Sequence, residues 1–187
     1  AVLAQILHAD LQPDEACATV FFRRTGRLLF RRPLSASDLG AYVAAANEAA
    51  RLTKDFYAGL ALSLASMLAS PKFLYDADSL EPDPMRPGNQ RLDAYSKASR
   101  LSLFLWNTAP DVDLLDAAAR GELHTRSGLA KEVDRLLTSP RLAALELASR
   151  FGREGAPLRA WLRDTVTDVT FFQVAPAART PQRAAVR

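Results

Sequence analysis

Three carboxylates stand close together in the chain, Asp111, Asp113 and Asp116, and Glu122 follows them. Such a group could do two kinds of chemistry. It could hold a hard cation such as calcium, which takes several oxygen ligands at about 2.5 Å. It could also supply a pair of acids for hydrolysis of a polysaccharide, with Asp111 set against Asp116 or Glu122. Asp111 and Asp113 fall in the first turn of an expected helix, where the dipole favours acids without any ligand. No glycine-bearing loop completes an EF-hand. These acids are therefore read first as helix-terminus charges, with Asp111, Asp113 and Asp116 kept as candidate metal ligands.

Arg23, Arg24, Arg27, Arg31 and Arg32 form a basic cluster. Arg24, Arg27 and Arg31 recur at spacings of three and four, hence on one helical face. Phosphate or nucleic-acid binding would use such a face, but base stacking needs exposed aromatics, and Phe21, Phe22 and Phe30 sit at core-like positions. A solvated face or inter-helix salt bridges is the simpler reading, and nucleic acid is not an expected partner. Arg100 interrupts an apolar helix end and is expected to pair with Asp93, Asp113 or Asp116, or to stack on Trp106. Tyr95, Phe104 and Trp106 read as core, with the Trp106 indole N–H donated to a carbonyl in the corner that follows it. His8 and His124 are the only histidines and Cys17 the only cysteine. Zinc needs three or four converging ligands, and these do not supply them. His124 follows a helix end and is expected to be exposed; Cys17, inside a helix, reads as a buried inert thiol. A lone cysteine allows no internal disulfide. No GxSxG elbow, GxGxxG turn or P-loop occurs. No catalytic or cofactor-binding residue is assigned.

The elements that must carry these side chains are helices. With 187 residues the chain can bury a core as one domain or two small ones. An apolar fraction of 49% and a charged fraction of 24% are those of a globular protein. The net charge of +3, against a sequence pI near 9.3, excludes a strongly basic nucleic-acid coat. No apolar run reaches the roughly 20 residues a membrane helix needs. The N-terminal residue is Ala1 and no signal-peptide pattern follows, so the chain is expected to be a fragment or mature piece.

Pro13-Asp14-Glu15 starts a helix that runs to about Phe30. Ser35 with Asp38 opens a second, and a third begins near Asp55 with Phe56, Leu60, Leu64, Met67 and Leu68 on one face. Ser70-Pro71 ends it and starts a short turn. Three prolines and a glycine between Asp78 and Gln90 mark a linker. Asp93 caps the next helix, which reaches about Trp106. Asn107 to Pro110 turns the chain, and a helix from Asp111 ends at Gly121. Leu129, Val133, Leu136 and Leu137 define one more, and Ser139-Pro140 starts another. No strand pair closed by a hairpin is expected; only TVTDVTFFQV, residues 165–174, is β-prone. The fold class is all-α: a helical subdomain over 1–77, a linker over 78–90, a helical subdomain over 91–151, and an irregular Arg/Pro/Ala-rich tail over 152–187.

Four segments in order, FFRRTGRLLFRRPLSASDL, ALSLASMLASPKFLYDAD, RLDAYSKASRLSLFLWNTAPDVDLLDAAARGEL and LAKEVDRLLTSPR, carry a resemblance to a family. They resemble planctomycete-type proteins with the domains of unknown function numbered 1595 and 1592, across Pro13 to Ala143. The resemblance implies an exported bacterial protein, at the periplasm or cell surface, whose full-length form often has a c-type haem domain upstream. It implies no catalytic residues. No haem-attachment motif is present, so haem c would belong to that upstream domain. Some relatives pair a cysteine at the position of Cys17 with one shortly before it; Ala9 stands nearby here. The tail departs from the aromatic-rich helix of relatives, and a change of reading frame is expected between Ala143 and Gly152. The expected role is binding or assembly, with other domains of the full-length protein as partners; the alternative is part of a cell-surface enzyme acting on polysaccharide or coupled to an upstream cytochrome c domain. Asp93, Arg100, Trp106 and Pro110 are expected to be structural, locking a helix–corner–helix.

Overall fold

The computed structural model describes residues 14–75, 78–139, 152–153, 155–168 and 171–172. Among these residues the chain is helical apart from one two-stranded ribbon. The elements are α1 (Glu15–Leu29), α2 (Ala36–Thr53), α3 (Phe56–Leu68), α4 (Pro71–Leu74), β1 (Leu80–Pro82), β2 (Gln90–Leu92), α5 (Ala94–Trp106), α6 (Val112–Ala119), a 3-10 turn (Glu122–His124), α7 (Arg126–Thr138) and α8 (Gly155–Thr167).

The expected helix starts are built by capping side chains. Asp14, Ser35, Asp55, Ser70, Asp93, Asp111 and Thr125 each accept a hydrogen bond from a backbone N–H in the first turn of the helix that follows. Stops follow local chemistry too. Asn107 ends α5 in the left-handed region at φ 53°, and Gly121 takes φ 72° just past α6, a conformation glycine adopts freely and asparagine tolerates.

The first three helices enclose one core of Phe22, Phe30, Val43, Ala46, Phe56, Leu60 and Met67. Its closest approach is between α2 and α3. A Cβ on Gly59 would strike the Ala46 carbonyl and stand 2.8 Å from the Ala50 backbone nitrogen. Two helices carrying Ala46, Ala50 and Gly59 at their contact can approach backbone to backbone, which larger side chains would forbid.

A second core lies under α5 to α8 and holds Leu92, Leu101, Leu105, Trp106, Leu114, Leu123, Val133 and Leu136. Leu158, Leu162 and Val166 of α8 belong to it, each 2% exposed or less. This corrects the expectation of an irregular tail for residues 155–167. Leucine, leucine and valine at intervals of four form a helical stripe, hidden in the sequence among arginines and threonines. The β-prone stretch from Thr165 is helical through Thr167. Residues 140–151, where a further helix and a change of reading frame were expected, lie outside the described residues, as do His8 and Ala9.

A second correction concerns the linker. Leu80, Glu81 and Pro82 pair antiparallel with Leu92, Arg91 and Gln90. The prolines that mark a break also close the ribbon: Pro82 sits at an edge, where its missing N–H costs nothing. The ribbon ends on Leu92, which is wholly buried in the second core.

Candidate functional site

The five arginines of α1 and its end face different surroundings, and two of them hold the subdomains together. Arg32 donates to Asp93 at 2.9 Å and to the Ser96 hydroxyl at 3.2 Å, and its guanidinium lies 6.0 Å from the centre of the Tyr95 ring. Asp93 is at once the cap of α5, accepting the Ser96 N–H at 2.7 Å. Arg27 donates to Asp116 at 2.5 Å. Arg31 donates to the Tyr75 carbonyl at 3.1 Å. At Arg27 and Arg32 the basic cluster is thus an inter-helix ionic seam.

The acidic group is divided between two cations. Asp111 caps α6 and receives both Arg135 guanidinium nitrogens, at 2.7 and 3.0 Å. Arg135 also donates to Glu132 at 2.8 Å and stands 5.9 Å from the Trp106 ring. Asp111 and Glu132 together raise the Arg135 pKa above its ordinary value, hydrogen bonding to Asp111 being the main cause. Asp116 is held by Arg27, and Asp113 is an open surface carboxylate, 78% exposed and 4.0 Å from Arg135. Glu122 accepts from Arg120 at 2.6 Å, which holds its carboxyl below the usual range. Among the described residues no three His, Cys, Asp or Glu side chains converge as a metal site would require.

The expected structural residues take other partners than predicted. Arg100 pairs with Asp78 in the segment before β1, at 2.5 and 3.2 Å, and not with Asp93, Asp113 or Asp116. Trp106 is 5% exposed, but its indole N–H reaches the Leu136 carbonyl on α7 at 3.0 Å, not the corner. The corner is tied instead by the buried Ser102 hydroxyl, which donates to the Thr108 carbonyl at 2.7 Å beside the buried Pro110. Cys17 is exposed, contrary to the expected buried thiol, because the inward face of α1 is set by Ala18, Phe22 and Gly26.

His124 is the largest departure. Its side chain is only 16% exposed, and it joins three residues from other elements. Glu81 Oε1 on β1 lies 3.2 Å from His124 Nε2 and accepts Arg91 at 2.6 and 2.7 Å from the facing strand. Lys97 Nζ on α5 lies 3.1 Å from His124 Nδ1, 3.3 Å from the Leu123 carbonyl and 5.7 Å from the centre of the Phe172 ring. Burial, and next the Lys97 charge, lower the His124 pKa; burial, and next Arg91, lower that of Lys97. Two titratable groups perturbed by partial desolvation and in mutual contact mark a candidate functional site. Sequence reading missed this one because its members are 43 residues apart, from Glu81 to His124. The available signal was the pair Glu81 and Arg91 flanking a Pro-Gly turn, opposite charges that a hairpin sets face to face.

A second feature is the outward half of α3. The helix FYAGLALSLASML carries no charge, and Tyr57, Leu62 and Leu68 on it are 60%, 56% and 41% exposed.

No curated protein and no solved structure matches this sequence. Two family models do, both described as proteins of unknown function: DUF1595 over residues 17–78 and DUF1592 over residues 92–183. The first covers the helices around Phe22 and Met67. The second starts at Leu92, where the ribbon enters the second core, and runs past α8 across the region where a change of frame was expected. The chain belongs to the proteins that carry these two domains in tandem, 1595 followed by 1592.

Proposed function

We propose that this chain is a docking module of an exported, multidomain bacterial protein, and that an adjoining domain of that protein seats on the outward half of α3. The observation that carries this reading is the composition of α3, thirteen residues without a charge and with one side left open. A helix apolar all round is ordinarily covered all round, and an exposed apolar stripe of this kind marks a protein contact. Leu74 and Tyr75, which follow in the chain, are also exposed apolar side chains, at 60% and 69%. The partner presents an uncharged face of its own, since a charge buried here would find no counter-ion on α3. Export, and a c-type haem domain upstream, are supported by the family resemblance.

The competing reading, an acid pair acting on polysaccharide, has less support. Asp111, Asp116 and Glu122 are each held by a guanidinium, whereas a general acid needs a raised pKa.

The test is co-expression of the chain with the domains encoded beside it in the full-length gene, followed by affinity capture. Wild type is expected to retain them. Leu62→Glu and Leu68→Glu are expected to lose them without a change in thermal midpoint, both positions being solvent-facing. Equal capture by wild type and both variants would overturn the proposal.

A further inference from the structure

The cluster around His124 is independent of the docking face and points to chemistry. Its hydrogen-bond polarity is dictated by its members. An ammonium only donates, so the hydrogen bond of 3.1 Å between Lys97 Nζ and His124 makes Nδ1 the acceptor nitrogen. The neutral imidazole then carries its proton on Nε2, which stands 3.2 Å from Glu81 Oε1. A carboxylate orients an imidazole, and the imidazole faces a nucleophilic side chain; this is the order of parts by which proteins activate a weak nucleophile. Here the third part is an amine. From the geometry we infer that Lys97 is a reactive amine, with His124 as its proton acceptor and Glu81 as the orienting group, and that the site takes an aldehyde or ketone.

The surroundings support the assignment. Arg91, which faces the cluster from β2, disfavours a second positive charge on Lys97, while Glu81 and Asp83 partly offset it. The Leu123 carbonyl holds Nζ in place, and the Phe172 ring covers it on another side. Glu81 remains 35% exposed, so the cluster borders solvent and can be reached. The step balances without an oxidant. The ammonium gives a proton to Nδ1, the free amine attacks the carbonyl carbon to give a carbinolamine, and the carbinolamine hydroxyl takes that proton from the imidazolium and leaves as water. A protonated imine between Lys97 and the substrate carbon remains, and the imidazole is neutral again.

The sequence holds only four lysines, Lys54, Lys72, Lys97 and Lys131, so the assay is direct. The folded chain is incubated with glyoxylate at pH 7.5, the imine is trapped with borohydride, and each lysine is quantified by peptide mass spectrometry. Lys97 is expected to carry several-fold more adduct than Lys54, Lys72 or Lys131, although those three are the exposed ones. The preference is expected to vanish in urea. His124→Gln is expected to lower labelling at Lys97 several-fold and leave the other three unchanged. In wild type, the pH midpoint for Lys97 labelling is expected below that of the other lysines. This measurement needs no variant and decides the matter should His124→Gln unfold. Labelling that simply follows exposure, an unchanged Lys97 in folded His124→Gln, or a common pH midpoint for all four lysines would each overturn the inference.

Discussion

Trp106 is the residue on which the second core turns, and its removal can be worked through in parts. The side chain is 5% exposed, and a buried tryptophan removes on the order of 200 Å² from water. At about 25 cal/mol per Å² that is roughly 5 kcal/mol of apolar burial, an upper figure because the unfolded chain already hides part of it. Measured truncations of this size cost about 3–5 kcal/mol. The indole N–H to Leu136 adds little more than about 1 kcal/mol. The Leu136 carbonyl keeps the Ser139 N–H at 3.3 Å and is not orphaned when the indole leaves. The Arg135 guanidinium over the ring adds about 0.5 kcal/mol or a little more. Trp106→Ala is therefore expected to cost about 4 kcal/mol and Trp106→Phe about 1–2 kcal/mol. Urea unfolding followed by circular dichroism, with the midpoint and slope fitted together, reads both values. A loss below about 1 kcal/mol for Trp106→Ala would refute the claim that this indole is a packed centre. Equal losses for alanine and phenylalanine would refute the division into burial and hydrogen bond.

Other substitutions probe the remaining contacts. Gly59→Ala drives a Cβ into the Ala46 carbonyl and is expected to destabilise by about 1–3 kcal/mol; Gly40→Ala, with open space around it, is expected to stabilise by up to about 1 kcal/mol, and thermal melts that rank them in the reverse order would contradict the close α2–α3 approach. Arg32→Ala removes the charge shared by Asp93 and Ser96 and is expected to cost about 1 kcal/mol and to loosen the subdomains in limited proteolysis, whereas Arg51→Ala, whose arginine pairs with Glu48 at the surface, is expected to be neutral. His124 has a folded pKa below its unfolded value near 6.5, so the unfolded chain binds more protons at acid pH and stability is lost as pH falls. The thermal midpoint should therefore drop between pH 7.5 and 5 in wild type and drop less in His124→Gln; identical slopes would show that His124 is not the group responsible.

The sequence by itself determined the helices from α1 to α7 and the order of the two domains. Capping residues act within four positions and apolar stripes repeat along one helix, so both can be read without knowing what the helix touches. Asp93, Asp111 and Ser35 cap as expected for that reason. What the sequence could not determine was the partner of any long polar side chain. Arg100 meets Asp78, Trp106 meets Leu136, and Arg27 meets Asp116, across separations of 22, 30 and 89 residues. Such pairs are set by how helices cross, which depends on close contacts such as Gly59 against Ala46 and not on spacing along the chain. The same holds for α8, where three apolar residues acquire meaning only when a core stands beside them. It holds most of all for Glu81, His124 and Lys97. Each is an ordinary surface type in the sequence, and only a ribbon, a 3-10 turn and a helix packed together bring a carboxylate, an imidazole and an amine into line.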